Sequence, residues 1–304
     1  MSSGSDNPSQ FQPGHQIPPQ HQEKPGLQAN LKGPQPVSAH LPTDDANTYA
    51  QYKPASKLAG KKAIITGGDS GIGRAVAYLY ALEGATSLIV YLPEEEEDAQ
   101  ETKRGVEKFG GKCHLMASDV RSKENCRRIV KEGVERMGGV DILVNNAAFQ
   151  NMVYDIKDLD EEQWENTFNT NIHPYFYLAK YTIPHLKSGS TIINCASVNP
   201  YIGRPDLLDY TSTKGAIVAF TRALSNQQVS KGIRVNCVCP GPIWTPLIPS
   251  TMTTEAQEQF SATPMGRPGQ PSEVATCFVF LASQDSSFIS GQSLHPNGGT
   301  IVNG

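Results

Sequence analysis

From Lys57 onward the chain alternates short apolar runs with amphipathic stretches of helical period, and this alternation restricts the fold more than any other feature. The apolar runs are Lys62–Thr66 (KAIIT), Ser87–Tyr91 (SLIVY), Lys112–Ala117, Val140–Val144 (VDILV), Thr191–Cys195 (TIINC), Ile233–Val238 and Gly291–His295. The first helical pattern carries apolar residues at Ile72, Val76, Leu79 and Leu82; the next opens on the acidic run Glu94–Asp98, and a third passes through Cys126, Ile129, Val130 and Met137. A long helix over Glu161–Leu186 follows, then one over Leu208–Lys231 and a last one starting at Pro271–Glu273. Acidic residues suit the positive end of a helix dipole, and proline is favourable in a first turn. Strands apolar on both faces and joined by helices predict an α/β fold with a doubly wound parallel sheet, covered by helices on both faces and wound right-handedly. Ligands then bind outside the carboxyl ends of the strands.

Residues 1–56 cannot join that core. They hold nine of the 22 prolines, many glutamines and no apolar run able to bury a face, so they read as a disordered or extended N-terminal arm before a single domain over 57–304. Phe11, Ile17, Leu27, Leu31, Val37 and Leu41 are spaced along it as anchors, and an arm of this length can reach a neighbouring subunit. The net charge of −4 and the pI near 6.0 leave no basic stripe for phosphates, which argues against a nucleic-acid partner. Six scattered cysteines without a CxxC pair read as free thiols in a reducing compartment. The opening MSSGSDNPSQ lacks an apolar core and no stretch is long enough to span a membrane, so a cytoplasmic location without membrane partners is expected. Pro240–Thr263, irregular in pattern, reads as a functional loop.

Three local patterns carry chemistry. Thr66-Gly67-Gly68-Asp69-Ser70-Gly71-Ile72-Gly73 lies between the first strand and first helix, where glycines admit a close pyrophosphate and the helix N-terminus offers free N–H groups. Such a turn alone also fits a ligand-free connection. Tyr210 and Lys214, four apart, share one helix face. Bringing a tyrosine from a pKa near 10 about three units toward neutrality needs roughly 4 kcal/mol, and a nearby ammonium has the right sign. Ser197, after the fifth strand, can donate to the oxygen that Tyr210 protonates, whereas Asn171 puts a costly amide in an apolar helix. No GxSxG or HExxH pattern occurs, the histidines lack metal spacing, and Glu94–Glu97 reads as a solvated face, so no metal site is expected.

The spacing TGxxxGxG resembles the short-chain dehydrogenase/reductase family, and four further motifs follow in the family's order. They are Asn145-Asn146-Ala147-Ala148, Asn171 seven residues after Trp164, Ser197 before Tyr210-Thr-Ser-Thr-Lys214, and Pro240-Gly241-Pro242-Ile243-Trp244-Thr245. The resemblance covers about Lys57–Gly304. YLPEEEEDA, LLDY, GPIWTPLIP and IVNG further resemble the stress-associated subgroup labelled glucose/ribitol dehydrogenase homologues and general stress proteins, whose members also begin with a Pro/Gln-rich arm.

The resemblance implies a Rossmann-like fold and hydride transfer between NAD(P)(H) and a small-molecule carbonyl or alcohol, tailoring reductions in biosynthesis among the options. Tyr210 would give the proton, Ser197 steady the oxyanion, Lys214 lower the Tyr210 pKa and grip the nicotinamide ribose, and Asn171 hold a water linking Lys214 to solvent. The dinucleotide would lie on Gly67, Asp69, Ser70, Gly71, Ile72 and Gly73, on Tyr91, Asp119, Val120, Asn145 and Ala147, and on Pro240, Gly241, Ile243 and Thr245. Tyr91 stands where NAD-specific relatives place an aspartate, and Arg74 is the adjacent cation for a 2′-phosphate, which tilts the expectation to NADP(H) with NAD(H) close behind. Ala148 replaces the usual glycine of its motif. Phe149, Gln150, Asn199, Pro200, Tyr201, Trp244, Leu247 and Ile248 are expected to line the substrate side, a lining better suited to an aldehyde or ketone than to a bare sugar. Family members form tetramers through two long helices, so a homotetramer is expected. The alternative is a non-redox isomerase, cyclase or binding protein on the same fold, which loss of Tyr210 or Lys214 would favour.

Overall fold

The computed structural model describes residues 8–44, 46 and 48–302, so the first seven residues of the arm and the end of the IVNG motif lie outside it. An antiparallel pair in the arm, β1 (His40–Pro42) and β2 (Tyr49–Gln51), precedes the main sheet. The chain continues through β3 (Lys62–Thr66), α1 (Gly71–Leu82), β4 (Thr86–Tyr91), α2 (Glu96–Lys108), β5 (Lys112–Ala117), α3 (Lys123–Met137) and β6 (Ile142–Asn145). Then come α4 (Glu161–Asn171), α5 (His173–Thr182), β7 (Thr191–Cys195), α6 (Asn199–Ile202), α7 (Leu208–Gln228) and β8 (Arg234–Val238). Two short helices, α8 (Leu247–Thr251) and α9 (Thr254–Glu258), lead to α10 (Pro271–Ala282) and β9 (Ser293–Leu294).

The seven strands β3 to β9 form one parallel sheet in the order β5-β4-β3-β6-β7-β8-β9. The chain runs outward from β3 to β5, then crosses back to β6 and proceeds to the other edge. This reversal opens a crevice at the carboxyl ends of β3 and β6, as the doubly wound rule requires. Alternation along each strand divides the core. Ile64, Leu88, Leu143 and Ile192 pack with Ile129 and Val130 of α3 on one face; Ile65, Ile89, Val144 and Ile193 pack with Val76 and Leu79 of α1 and Phe278 of α10 on the other.

The long helix expected over Glu161–Leu186 is broken. At Ile172 the backbone leaves the helical basin (φ −123°, ψ −42°), because Pro174 has no N–H for the preceding turn and its ring would meet the Thr170 carbonyl. The Pro240–Thr263 stretch, expected to be irregular, contains α8 and α9.

The arm lies against its own domain. Phe11, Leu31 and Val37 are buried, and Leu31 packs with Trp244, Ile248 and Met252. The Trp244 indole Nε1 donates to the Pro34 carbonyl (2.9 Å). Asp98 of α2 accepts from the backbone N–H groups of Gln28 (2.5 Å) and Ala29 (3.1 Å). At the other end Glu83 accepts from Tyr52 Oη (2.5 Å) and from the N–H of Lys57 (2.7 Å). Replacing Leu31 by alanine is expected to cost about 2–3 kcal/mol of stability and to red-shift the fluorescence of the buried Trp244. Unchanged thermal melts and emission would show that this packing contributes no stability.

Candidate active site

The crevice is the mouth of a cleft of about 850 Å3 that extends from the glycine-rich turn to α8. Glycine is required in the turn: Gly67 has φ +61°, and a Cβ on Gly73 would lie 1.8 Å from the Gly67 carbonyl oxygen. Gly67, Asp69, Ser70, Gly71 and Ile72 line the cleft, together with Tyr91, Asp119, Val120, Ala147, Pro240, Gly241, Ile243 and Thr245. Gly73 lies beneath the turn and lets α1 approach it. A cleft of this volume, walled at one end by a helix N-terminus and side-chain-free backbone, fits a dinucleotide.

Two expected cofactor contacts are placed elsewhere. Arg74 turns away from the cleft and is buried: its Nε donates to Asp69 O (2.8 Å) and Thr102 Oγ1 (3.0 Å), and its Nη2 to the backbone O (3.0 Å) and Oδ1 (2.9 Å) of Asp98. A buried charge needs a counter-ion, and Asp98 of α2 supplies it. Asn145 is fully buried and donates from Nδ2 to Asn194 Oδ1 (2.9 Å) between strands. The neighbouring Asn146 faces the cleft instead, donating from Nδ2 to the carbonyls of Thr66 (3.0 Å) and Gly67 (3.1 Å).

At the strand-order reversal the ribose end of the cleft is acidic. Burial pushes the Asp69 carboxyl up to about 6, and burial together with the charge of Asp69 pushes Glu95 up to about 8. Tyr91 directs its hydroxyl onto Glu96 Oε2 (2.7 Å). Arg121 also lines the cleft, forked onto Asp119 with Nη2 at 2.7 Å from Oδ2.

Ser197, Tyr210 and Lys214 meet on the far wall. Ser197 follows β7; its Oγ accepts from the Asn199 N–H (3.1 Å), and its hydroxyl acts on the Tyr210 phenol to lower its pKa against the larger effect of burial. Tyr210 and Lys214 are one turn apart on α7, with Lys214 Nζ 5.3 Å from the Tyr210 ring centre and 5.9 Å from that of Tyr175. Lys214 Nζ donates to the Cys195 carbonyl (2.8 Å). Burial raises the Tyr210 phenol above its ordinary range and lowers the Lys214 ammonium. Burial is the largest influence on both groups, and each is moved toward its neutral form.

Asn171 is buried at the end of α4. Its Oδ1 accepts from Phe149 N (2.7 Å), and its Nδ2 donates to Phe149 O (2.8 Å) and Thr213 Oγ1 (3.0 Å). Both ends of the amide thus pin the loop after β6 to α7. Of the residues expected on the substrate side, Phe149, Gln150, Asn199, Leu247 and Ile248 line the cleft. Tyr201 does not: it bonds to Ser293 Oγ (3.2 Å) and packs edge-on against His295. Pro200 is likewise off the wall, and Trp244 is spent on the arm. Cleft residues that the sequence did not point to include Lys24, Pro25 and Gly26 of the arm and Tyr154, Ile202 and Arg204. No local signal marks the arm residues, whose part depends on docking.

A family profile described as Enoyl-(Acyl carrier protein) reductase matches residues 67–300. General stress protein 39 of Bacillus subtilis is 53% identical over 289 residues, covering 94% of this chain and 97% of the relative. Glucose and ribitol dehydrogenase of Daucus carota is 51% identical, covering 96% and 99%. NADPH-dependent aldehyde reductase 1, chloroplastic, of Arabidopsis thaliana is 51% identical, covering 84% and 91%. Among solved structures, a short chain dehydrogenase from Burkholderia cenocepacia J2315 in complex with NADP superposes with a TM-score of 0.74 at 30% identity, covering 80% of this chain and 98% of that one. The fold and the site are those of a nicotinamide-dependent oxidoreductase. The chain belongs to the short-chain dehydrogenase/reductase family.

Arg74→Ala is expected to destabilise the protein by about 3 kcal/mol by stranding a buried carboxylate, with similar changes in NADH and NADPH affinity. Fluorescence titrations showing a loss confined to NADPH would return Arg74 to the 2′-phosphate.

Proposed function

We propose that the protein reduces aldehydes or ketones, and oxidises the matching alcohols, with NADP(H) preferred and NAD(H) usable. The observation that carries this reading is the Ser197–Tyr210–Lys214 cluster on the wall of a cleft that also holds the glycine-rich turn. A bound nicotinamide would supply or accept the hydride. Tyr210 holds a proton on Oη, as its raised pKa favours, and passes it to the substrate oxygen. Ser197 donates to the same oxygen, and Lys214 stabilises the phenolate left behind and orients the ribose. Asn171 is a positioning residue that fixes Phe149 and Thr213.

Cofactor preference follows from the two relatives named for NADP(H) and from the ribose end of the cleft. Glu95, with its pKa raised to about 8, can donate as a neutral carboxyl to a 2′-oxygen. We further read residues 57–304 as one catalytic domain and 1–56 as its arm, in a cytoplasmic homotetramer. Six unpaired cysteines support the reducing compartment, and the exposed aromatic rings of Trp164 on α4 and Phe176 on α5 support association through those helices. The rival reading, a non-redox isomerase, cyclase or binding protein, finds no favouring observation.

Tyr210→Phe should leave cofactor affinity nearly intact and lower turnover by orders of magnitude, while Lys214→Ala should harm both. Absorbance of reduced nicotinamide across an aldehyde, ketone and polyol panel reads this out, and near-wild-type turnover in Tyr210→Phe would refute the assignment. A second expectation concerns pH. Glu95 loses its proton near pH 8 beside Asp69, Asp98 and Glu94, adding negative charge where a 2′-phosphate would sit. NADPH affinity should therefore fall relative to NADH between pH 7 and 9, and Glu95→Gln should flatten the trend; parallel curves for both cofactors would contradict it.

A further inference from the structure

Four cations line the cleft among the described residues: Lys24, Arg121, Arg204 and Lys214. Arg121 is neutralised by Asp119, and Arg204 by Asp206, with Nε–Oδ1 at 2.6 Å. Lys214 belongs to the reaction centre. Lys24 is different. It comes from the arm, its hydrogen-bond partner is the neutral Asn151 Oδ1 (2.5 Å), and burial alone acts on its pKa, with no carboxylate offsetting it.

Its location is the substrate half of the cleft. Nζ lies 5.6 Å from the ring centre of Phe149, which follows β6 and is held by Asn171. The arm is fastened on both sides of Lys24. Upstream, Gln22 N donates to Pro249 O (3.1 Å) and Gln257 Nε2 to Gln20 O (2.9 Å). Downstream, a Cβ on Gly26 would lie 2.4 Å from Pro246 O, so only glycine allows this approach to α8, and Gln28 Oε1 accepts from Gly71 N (2.9 Å). The partner of Lys24 is fastened too. Asn151 Nδ2 donates to Gln163 Oε1 (2.7 Å), Gln163 Nε2 to Asp209 Oδ2 (3.1 Å), and Asp209 Oδ1 accepts from Tyr210 N (2.8 Å). A continuous chain of hydrogen bonds thus ties the arm ammonium to the backbone of the tyrosine.

We propose that Lys24 is a specificity-determining residue of the reductase, and that the preferred substrate is a carbonyl compound bearing a carboxylate or phosphate, whose negative charge Lys24 receives. The inference rests on the carbonyl-reductase reading. An ammonium whose partner is a neutral amide keeps its attraction for an anion, and Lys24, exposed at the cleft wall, is open to one and subject to screening by salt.

Matched substrates test it in the full-length enzyme: benzaldehyde against 4-carboxybenzaldehyde, and glyceraldehyde against its 3-phosphate. The wild type should favour the charged member of at least one pair, and the responding pair identifies carboxylate or phosphate. Lys24→Gln should lower that preference about tenfold through KM, Lys24→Glu should reverse it, and added salt should erode it in the wild type. Neutral substrates should keep their kcat/KM in Lys24→Gln. A charged-to-neutral ratio unchanged by both substitutions overturns the role of Lys24 while leaving the reductase reading standing. If no aldehyde is turned over, that reading fails, and calorimetry of 4-(hydroxymethyl)benzoate against benzyl alcohol still judges Lys24: equal binding of the two in wild type and Lys24→Gln overturns it.

Discussion

Asp98 is a carboxylate almost wholly removed from water, and the arrangement of the cleft depends on how it is satisfied. It accepts from the Arg74 guanidinium and from two backbone N–H groups of the arm, Gln28 and Ala29. A buried charge costs several kcal/mol unless its hydrogen-bonding capacity is filled, so the three partners hold one another in place. Arg74 in turn grips the Asp69 carbonyl, and Thr102 Oγ1 donates to the same oxygen (2.7 Å). The glycine-rich turn, α2 and the arm are therefore one polar unit. The same saturation explains why Arg74 has no freedom to serve a ligand, and why an arm without a core of its own acquires a defined place.

A parallel arrangement operates at the other end of the cleft. The Cys195 carbonyl, at the tip of β7, accepts from both Lys214 Nζ and Tyr175 Oη (3.1 Å). Asp209, one residue before the tyrosine, accepts from Thr167 Oγ1 (2.6 Å), Gln163 and the Tyr210 N–H. Strand β7, helix α4 and helix α7 are thereby locked in register around one hydroxyl. Asn171 adds the loop after β6. Such preorganisation matters because a displacement of even an ångström between proton donor and acceptor is costly in rate.

What could be read from the chain beforehand follows from locality. The alternation of strands and helices, the backbone of the turn and the Tyr210–Lys214 pairing depend on residues close in sequence, and these stand as expected. The side of a strand end that faces the cleft depends on register with neighbours, so Asn145 turns into the sheet while Asn146 lines the cleft. Tyr201 and Trp244 looked like pocket walls by composition, yet each found a partner distant in sequence, Ser293 and Pro34. The break at Ile172 had a visible signal in Pro174, outweighed by the length of the apolar pattern. Anchors along the arm were legible as apolar residues, whereas their seat on the same chain, and the entry of Lys24 into the cleft, depend on contacts with α2 and α8 that no local pattern encodes.

The burial of the tyrosine and lysine bears on how the site separates its two tasks. Desolvation moves the Tyr210 phenol upward and the Lys214 ammonium downward, both toward neutrality. Before reaction this disfavours charge separation and keeps the proton on Oη. When a carbonyl carbon receives a hydride, negative charge develops on its oxygen beside Ser197 and Tyr210, and the cost of ionising the phenol is offset by removal of that charge from the substrate. The ammonium, held by Cys195 O at fixed distance from the ring, then acts on a phenolate with little screening. Lys214 thus interacts weakly with the resting phenol and strongly with the charged form reached during reaction. An interaction of that kind accelerates the chemical step, whereas one equally strong in both states would only tighten binding.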